Sequence, residues 1–146
     1  MTVPMTLRLE TLSVDECLRL LGSRYLGRVA FVVDGEPHVR PVNYRLHEGI
    51  IVFRTDYGGL LDLIHLANVA FEVDDADHEY HTGWSVVVRG KAEEVWQPDE
   101  LRVLRELPLR PWAPGPRDHY VRISPLEITG RRITGPAAHR LEHPEV

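Results

Sequence analysis

The sequence has a single cysteine, Cys17, among 146 residues. One thiol cannot close an internal disulfide, so a reducing compartment is its natural setting. Long apolar runs are missing, and no stretch approaches the length needed to span a bilayer. The opening MTVPMTLRLE has no basic patch followed by an apolar core, so no signal peptide is expected. These absences predict a cytoplasmic protein with no membrane partner. Basic excess is lacking as well, because the formal net charge is −5. That balance gives no general drive toward nucleic acid, and none is expected as a partner. Catalytic signatures are equally sparse. Ser85 follows Trp84 at a strand start without a G-x-S-x-G elbow, and no second ligand pair has zinc spacing.

What is present reads as one domain over residues 1–146. Ser13 and Glu16 have capping-box spacing, and Cys17, Leu18 and Leu21 make an apolar stripe that Gly22 can stop. This predicts a helix over 14–21 with Cys17 in the core. RVAFVV is β-branched and aromatic, and the turn pair Asp34-Gly35 follows it. The run 38–46 alternates, although Pro41 inside it argues for an edge, a bulge or the end of ladder pairing. HEGI marks a second turn before a strand over Ile50–Thr55. The spacing then predicts a helix from Leu60, a strand over 69–73 and a polar loop in ADHEYHTG. A long strand follows from Trp84, bent near Gly90. Next come a helix in QPDELRVLREL with Pro98 in its first turn, an irregular Pro-rich stretch, and a strand pair over 120–123 and 127–133. The compact core runs over about 12–134, and the tail 135–146 is expected to fray. Short connections and mostly antiparallel pairing predict a closed or partly closed small barrel with helices at its ends.

Few clusters carry chemistry. DDADHEYH offers carboxylates and histidines, but it reads as a solvated acidic loop, so no metal is expected. Glu93 and Glu94 point to opposite faces of a strand and cannot act as an acid–base pair. No catalytic side chain is assigned. Phosphate-binding donors do gather around the third strand: Arg40, Arg54, Thr55 and the amides of Gly58, Gly59 and Leu60. They can converge on a phosphate, or they can be exposed arginines beside a simple glycine turn.

GRVAFVVDGEPHVRPVNYRLHEGIIVFRTDYGG, followed by VAFEVDD, GWSVVVRGKAEEV and RISPLEITGRRI, resembles the flavin-binding split-barrel family. The best-known member type of that family is pyridoxamine 5′-phosphate oxidase. The resemblance implies a mainly β, α+β fold: a six-stranded antiparallel split β-barrel with flanking helices. It also implies a homodimer with two FMN sites shared between subunits. By that resemblance VRPVNY places Arg40, Pro41, Val42 and Asn43 beside the flavin, with Arg40 toward its phosphate. FRT supplies Phe53, Arg54 and Thr55, and GWSVVV supplies Trp84 and Ser85 toward the partner's flavin. Relatives carry a hydroxyl residue and then basic residues where this chain has Gly59, Leu60 and Leu61. That departure leaves FMN, a deazaflavin or an empty site open. The implied function is hydride transfer through the flavin to an unknown small substrate. The alternative is a non-catalytic flavin carrier or a ligand-free dimeric module. Tyr44, Arg45 and Trp112 are candidates to line a substrate pocket, although Trp112 is expected chiefly as a packing anchor. Arg131 and Arg132 are expected to solvate a strand end, and authentic pyridoxamine phosphate oxidases differ in carrying a longer basic C-terminal segment.

Overall fold

The structure is a computed structural model that describes residues 6–56, 59–115 and 117–135. Gly58 and the tail 136–146, both the subject of expectations above, lie outside the described residues. The chain begins with a short strand, β1 (Arg8–Thr11), and a helix, α1 (Val14–Gly22). The Ser13 hydroxyl accepts the Glu16 amide at 3.2 Å, as the capping-box spacing predicts. The stripe of α1 buries Cys17, Leu20 and Leu21.

Three strands then run as a meander: β2 (Leu26–Val33), β3 (Glu36–His47) and β4 (Ile50–Thr55). Both connecting turns have two residues with positive φ, Asp34-Gly35 and Glu48-Gly49. That is the geometry that keeps the strand twist through a tight hairpin. A single-turn helix, α2 (Leu60–Ile64), leads to the long hairpin of β5 (Asn68–Asp77) and β6 (Thr82–Glu94). A third helix, α3 (Pro98–Arg105), and an irregular loop precede the last strand, β7 (His119–Thr134).

Neighbouring strands follow the order β1-β7-β4-β3-β2-β5-β6, and β6 also pairs with β7. Six strands, β2 to β7, therefore close into a barrel, and β1 adds to the free stretch of β7. Inside it pack Tyr44, Phe53, Phe71, Val29, Val86, Val88 and Ile123, all fully buried. Tyr44 meets Phe71 edge-on at 4.9 Å, and its hydroxyl donates to the Leu21 carbonyl at 2.6 Å. A smaller core of Val52, Val95, Leu104, Leu109 and Tyr120 holds α3 and the loop after it against the outside of the barrel.

Three expectations are corrected. The polar run 76–83, expected as a loop, is half strand: Ala76 and Asp77 end β5, Thr82 and Gly83 open β6, and the Asp77 carboxylate accepts the Glu79 and Tyr80 amides in the turn between, each at 3.0 Å. The expected strand pair at the C-terminal side is one strand. Opposite Gly90 the register shifts, and Leu126, 80% exposed, is the extra residue. Pro125 is tolerated there because a bulge needs no ladder N–H. The strand β1 was not expected, since all four of its residues are exposed and leave no apolar period to read.

Candidate functional site

The barrel is not sealed everywhere. β4 pairs with β3 only from Tyr44–Phe53 to His47–Ile50. The rest of β3, toward Glu36, pairs with β2 alone. The register defines which backbone groups this frees. The Tyr44 amide donates to the Tyr25 carbonyl at 2.9 Å, which makes Leu26–Asn43 a non-hydrogen-bonded pair. Two residues on, Arg28–Pro41 is a pair of the same kind. The Pro41 carbonyl and the Asn43 amide therefore point away from β2, toward the open edge. Proline stands at one of the positions where a missing N–H costs no ladder bond.

A cleft of about 330 Å³ occupies this split. β3 gives it Arg40, Pro41, Val42 and Asn43; β4 gives Arg54 and Thr55; the start of α2 gives Gly59 and Leu60. Eight of the twelve residues proposed from the sequence thus meet in one place. Arg40 is exposed and has no hydrogen-bond or ion-pair partner among the described residues. Gly59 has φ 55°, a conformation that leaves room for close approach of a ligand to its amide. Of the others, Gly58 is not among the described residues. Phe53 is fully buried and forms the barrel wall behind the cleft. Trp84 and Ser85 lie on β6 and do not line it; Trp84 packs on the core with the Arg24 guanidinium 5.4 Å from its ring centroid.

Arg54 lines the cleft and also holds the loop beside it. Its Nε donates to the Arg117 carbonyl at 2.8 Å and its guanidinium to the Leu109 carbonyl at 3.1 Å. Arg45 donates to the Pro108 carbonyl at 2.7 Å, and the Asn43 side chain accepts the Trp112 amide at 2.8 Å. Three side chains of β3 and β4 thus latch the 106–118 loop across the split. That loop adds Pro111, Ala113 and Arg117 to the cleft, residues that sequence reasoning missed. A Pro-rich run has no period, so only its arginine could have signalled this placement. Trp112, expected as a packing anchor, is instead 73% exposed, because the latch holds the loop by its backbone.

The departure at Leu60 and Leu61 has a packing reason. Both are buried with Ile64 in the barrel core, so α2 spends its face on apolar contact. At the far side of Thr55, His119 pairs with it in register, and the His119 ring bonds the buried Glu94 carboxylate at 2.6 Å. The second ring pair in that corner is structural too: the Glu94 amide donates to His65. No group of three or more possible metal ligands occurs among the described residues.

The pyridoxamine 5′-phosphate oxidase family matches this sequence over residues 13–132, nearly the whole barrel. The chain belongs to that family. Within it, the uncharacterized protein Rv0080 of Mycobacterium tuberculosis is 38% identical over 125 residues, which are 82% of each chain. A FAD binding protein from Mycobacterium smegmatis is similar in structure, with 36% identity and a TM-score of 0.69, covering 86% of this chain and 98% of the other. A proposed pyridoxamine 5′-phosphate oxidase from Corynebacterium glutamicum has 39% identity and a TM-score of 0.75, with 92% and 97% coverage. The family fold and the observed split barrel agree, and pairing between β3 and β4 stops at the cleft.

The site's charge balance suits an anion. Arg40, Arg54 and Arg117 line the cleft, against one carboxylate, Asp56. A flavin mononucleotide unit fits this chemistry: an unpartnered guanidinium and the Thr55 hydroxyl for phosphate, free backbone groups for a pyrimidine edge, and Val42 as an apolar wall. No helix of the described residues is long and apolar enough to cross a membrane.

Proposed function

We propose that this protein binds a flavin in the split between β3 and β4 and serves as an oxidoreductase for a small substrate. The observation that carries the reading is the unpaired edge of β3 at Pro41 and Asn43, facing a cleft that also holds a guanidinium with no protein partner. The relative from Mycobacterium smegmatis, a FAD binding protein, supports the choice of cofactor. A bound flavin supplies the redox chemistry, since its N5 accepts or gives hydride.

The chain's own residues bind and orient. Arg40 would hold the phosphate by a charge-assisted hydrogen bond, and Thr55 would add a hydroxyl. The backbone groups of Pro41 and Asn43 would meet the polar edge of the ring, while Val42 would give it an apolar wall. The latched 106–118 loop would keep water from that edge. No side chain need act as nucleophile. We also take the protein as a cytoplasmic homodimer. Val32, Val39 and Leu126, 64%, 63% and 80% exposed, surround an apolar groove of about 570 Å³ that a second copy would cover. Sedimentation at micromolar concentration checks this: a monomer would contradict it.

The test of the site is titration of the purified protein with FMN and FAD, followed by absorbance, with a deazaflavin beside them. A saturable spectral change is expected. Arg40→Ala should weaken binding about tenfold to a hundredfold, the worth of one charge-assisted bond of ~1.5–3 kcal/mol. Unchanged affinity in that variant would remove Arg40 from the site.

A second reading, a flavin carrier without catalysis, is favoured by the burial of Leu60 and Leu61, which leaves no basic residue at the start of α2. Mixing the loaded protein with a nicotinamide donor separates the two. Bleaching of the flavin band supports the enzyme, and an unchanged band with every donor supports the carrier.

A further inference from the structure

Beside the flavin cleft lies a second one, of about 320 Å³, and the two share Asn43 as a wall. Its chemistry differs. Besides the buried Tyr44 it is lined by two exposed aromatic rings, Tyr25 and Trp112, 54% and 73% exposed. Arg45 stacks on Tyr25 with its guanidinium carbon 4.2 Å from the ring centroid. Arg110, exposed on the same loop, has no partner among the described residues. What sets this cleft apart is that two exposed aromatics and an unpartnered guanidinium share one wall-lined space. They suit a planar heteroaromatic ring joined to a negatively charged group, since stacking holds the ring and arginine the charge.

We propose that this second cleft takes the adenine nucleotide half of a dinucleotide flavin, so that the protein selects FAD over FMN. The inference rests on the flavin reading above. Trp112 stacks the adenine, Tyr25 capped by Arg45 walls it, Arg110 faces the phosphate that joins the two halves, and Asn43 marks the border between the subsites. The latch from Asn43 to the Trp112 amide then couples them, because it positions the loop that builds both walls. The weak phosphate end of the first cleft, with Leu60 and Leu61 turned into the core, is offset by the added contacts of the second half.

The experiment is parallel titration of the full chain with FAD, FMN and AMP, read by absorbance and by quenching of flavin fluorescence. FAD should bind at least tenfold more tightly than FMN, and AMP should displace FAD while leaving bound FMN in place. Trp112→Ala and Arg110→Ala should each weaken FAD about tenfold without moving FMN affinity or Tm. Both residues are exposed, so the fold survives their loss. Equal affinity for the two flavins, or equal weakening of both by each variant, would overturn the second subsite while leaving the flavin reading intact. Failure of both flavins to bind would overturn the two together.

Discussion

The seam between β6 and β7 and the split between β3 and β4 are built from the same backbone groups and end in opposite states. Along the seam the register runs from Gly83–Ile133 to Glu94–Val121 with one shift, so every stretch of β6 finds a partner. Across the split, pairing stops after Tyr44–Phe53, and the remaining length of β3 has a free edge. The difference lies in the side chains. At the seam Gly90 lets β7 approach closely, and the bulge at Leu126 absorbs the mismatch. At the split a proline stands on the unpaired edge, three arginines line the cleft, and a latched loop lies beside it. An unpaired edge invites aggregation unless something occupies it. Here the loop does so in part, and the proposed ligand does the rest.

The comparison can be broken most severely at the seam. A Cβ on Gly90 would come within 2.1 Å of the Ser124 carbonyl oxygen, a backbone atom that cannot step aside. Gly90→Val should therefore cost about 3 kcal/mol or more, measured as a drop in the denaturation midpoint, with flavin binding lost along with the fold. Wild-type stability in that variant would show that the closed seam does not carry the barrel. The split should respond in the opposite way. Arg40→Ala, exposed and unpartnered, should leave stability within about 0.5 kcal/mol while weakening flavin by the factor given above.

A third change separates the two roles of arginine at the split. Arg54→Ala frees the Leu109 and Arg117 carbonyls and should destabilise the protein by about 1.5–3 kcal/mol. It should also speed proteolysis within 106–118, which Arg40→Ala should not. Equal protease resistance in both variants would mean that the Arg54 bonds are not what holds the loop.

The smallest effect concerns pH. Glu72, on β5 beside the open half of β2, has its carboxyl pushed up to about 7, first by burial and then by the neighbouring Asp74. Arg28 at 3.0 Å opposes this and does not overcome it. The fold therefore holds a proton that the unfolded chain, with an ordinary carboxyl near 4.5, gives up. Stability from this group is full below pH ~4.5 and is lost as pH rises through ~7. Glu72→Gln should remove that loss and raise Tm by a few degrees at pH 8 but not at pH 4. A shift of equal size at both values would rule the titration out.

Much of the fold was legible because its signals are local. Ser13 and Glu16 announce α1, Asp34-Gly35 and Glu48-Gly49 announce the hairpins, and Pro41 marks the edge that proves open. Spacing alone left Arg40, Arg54 and Thr55 open between a phosphate site and exposed strand positions; the family resemblance named them as site residues, and the fold brings them to one cleft. What stayed hidden depends on distant partners. Arg54 reads only as a cleft residue in the sequence, and its second role, holding two carbonyls more than fifty residues away, cannot be seen there. Leu60 and Leu61 read as lost basic residues, when their burial in the barrel is the reason they are there. The loop that brings Pro111, Ala113 and Arg117 to the cleft has no periodicity to betray its position. β1, wholly exposed, exists only because β7 offers it an edge.

Hydrogen exchange with and without flavin tests the central claim most directly. If the open edge of β3 is the binding surface, added flavin should slow exchange at the outward-pointing Asn43 amide, while Arg40 and Val42, whose amides face β2, should change little. The apolar groove around Val32 and Val39 should keep its rate. Saturating flavin with no protection at Asn43, or with protection confined to that groove, would contradict the account.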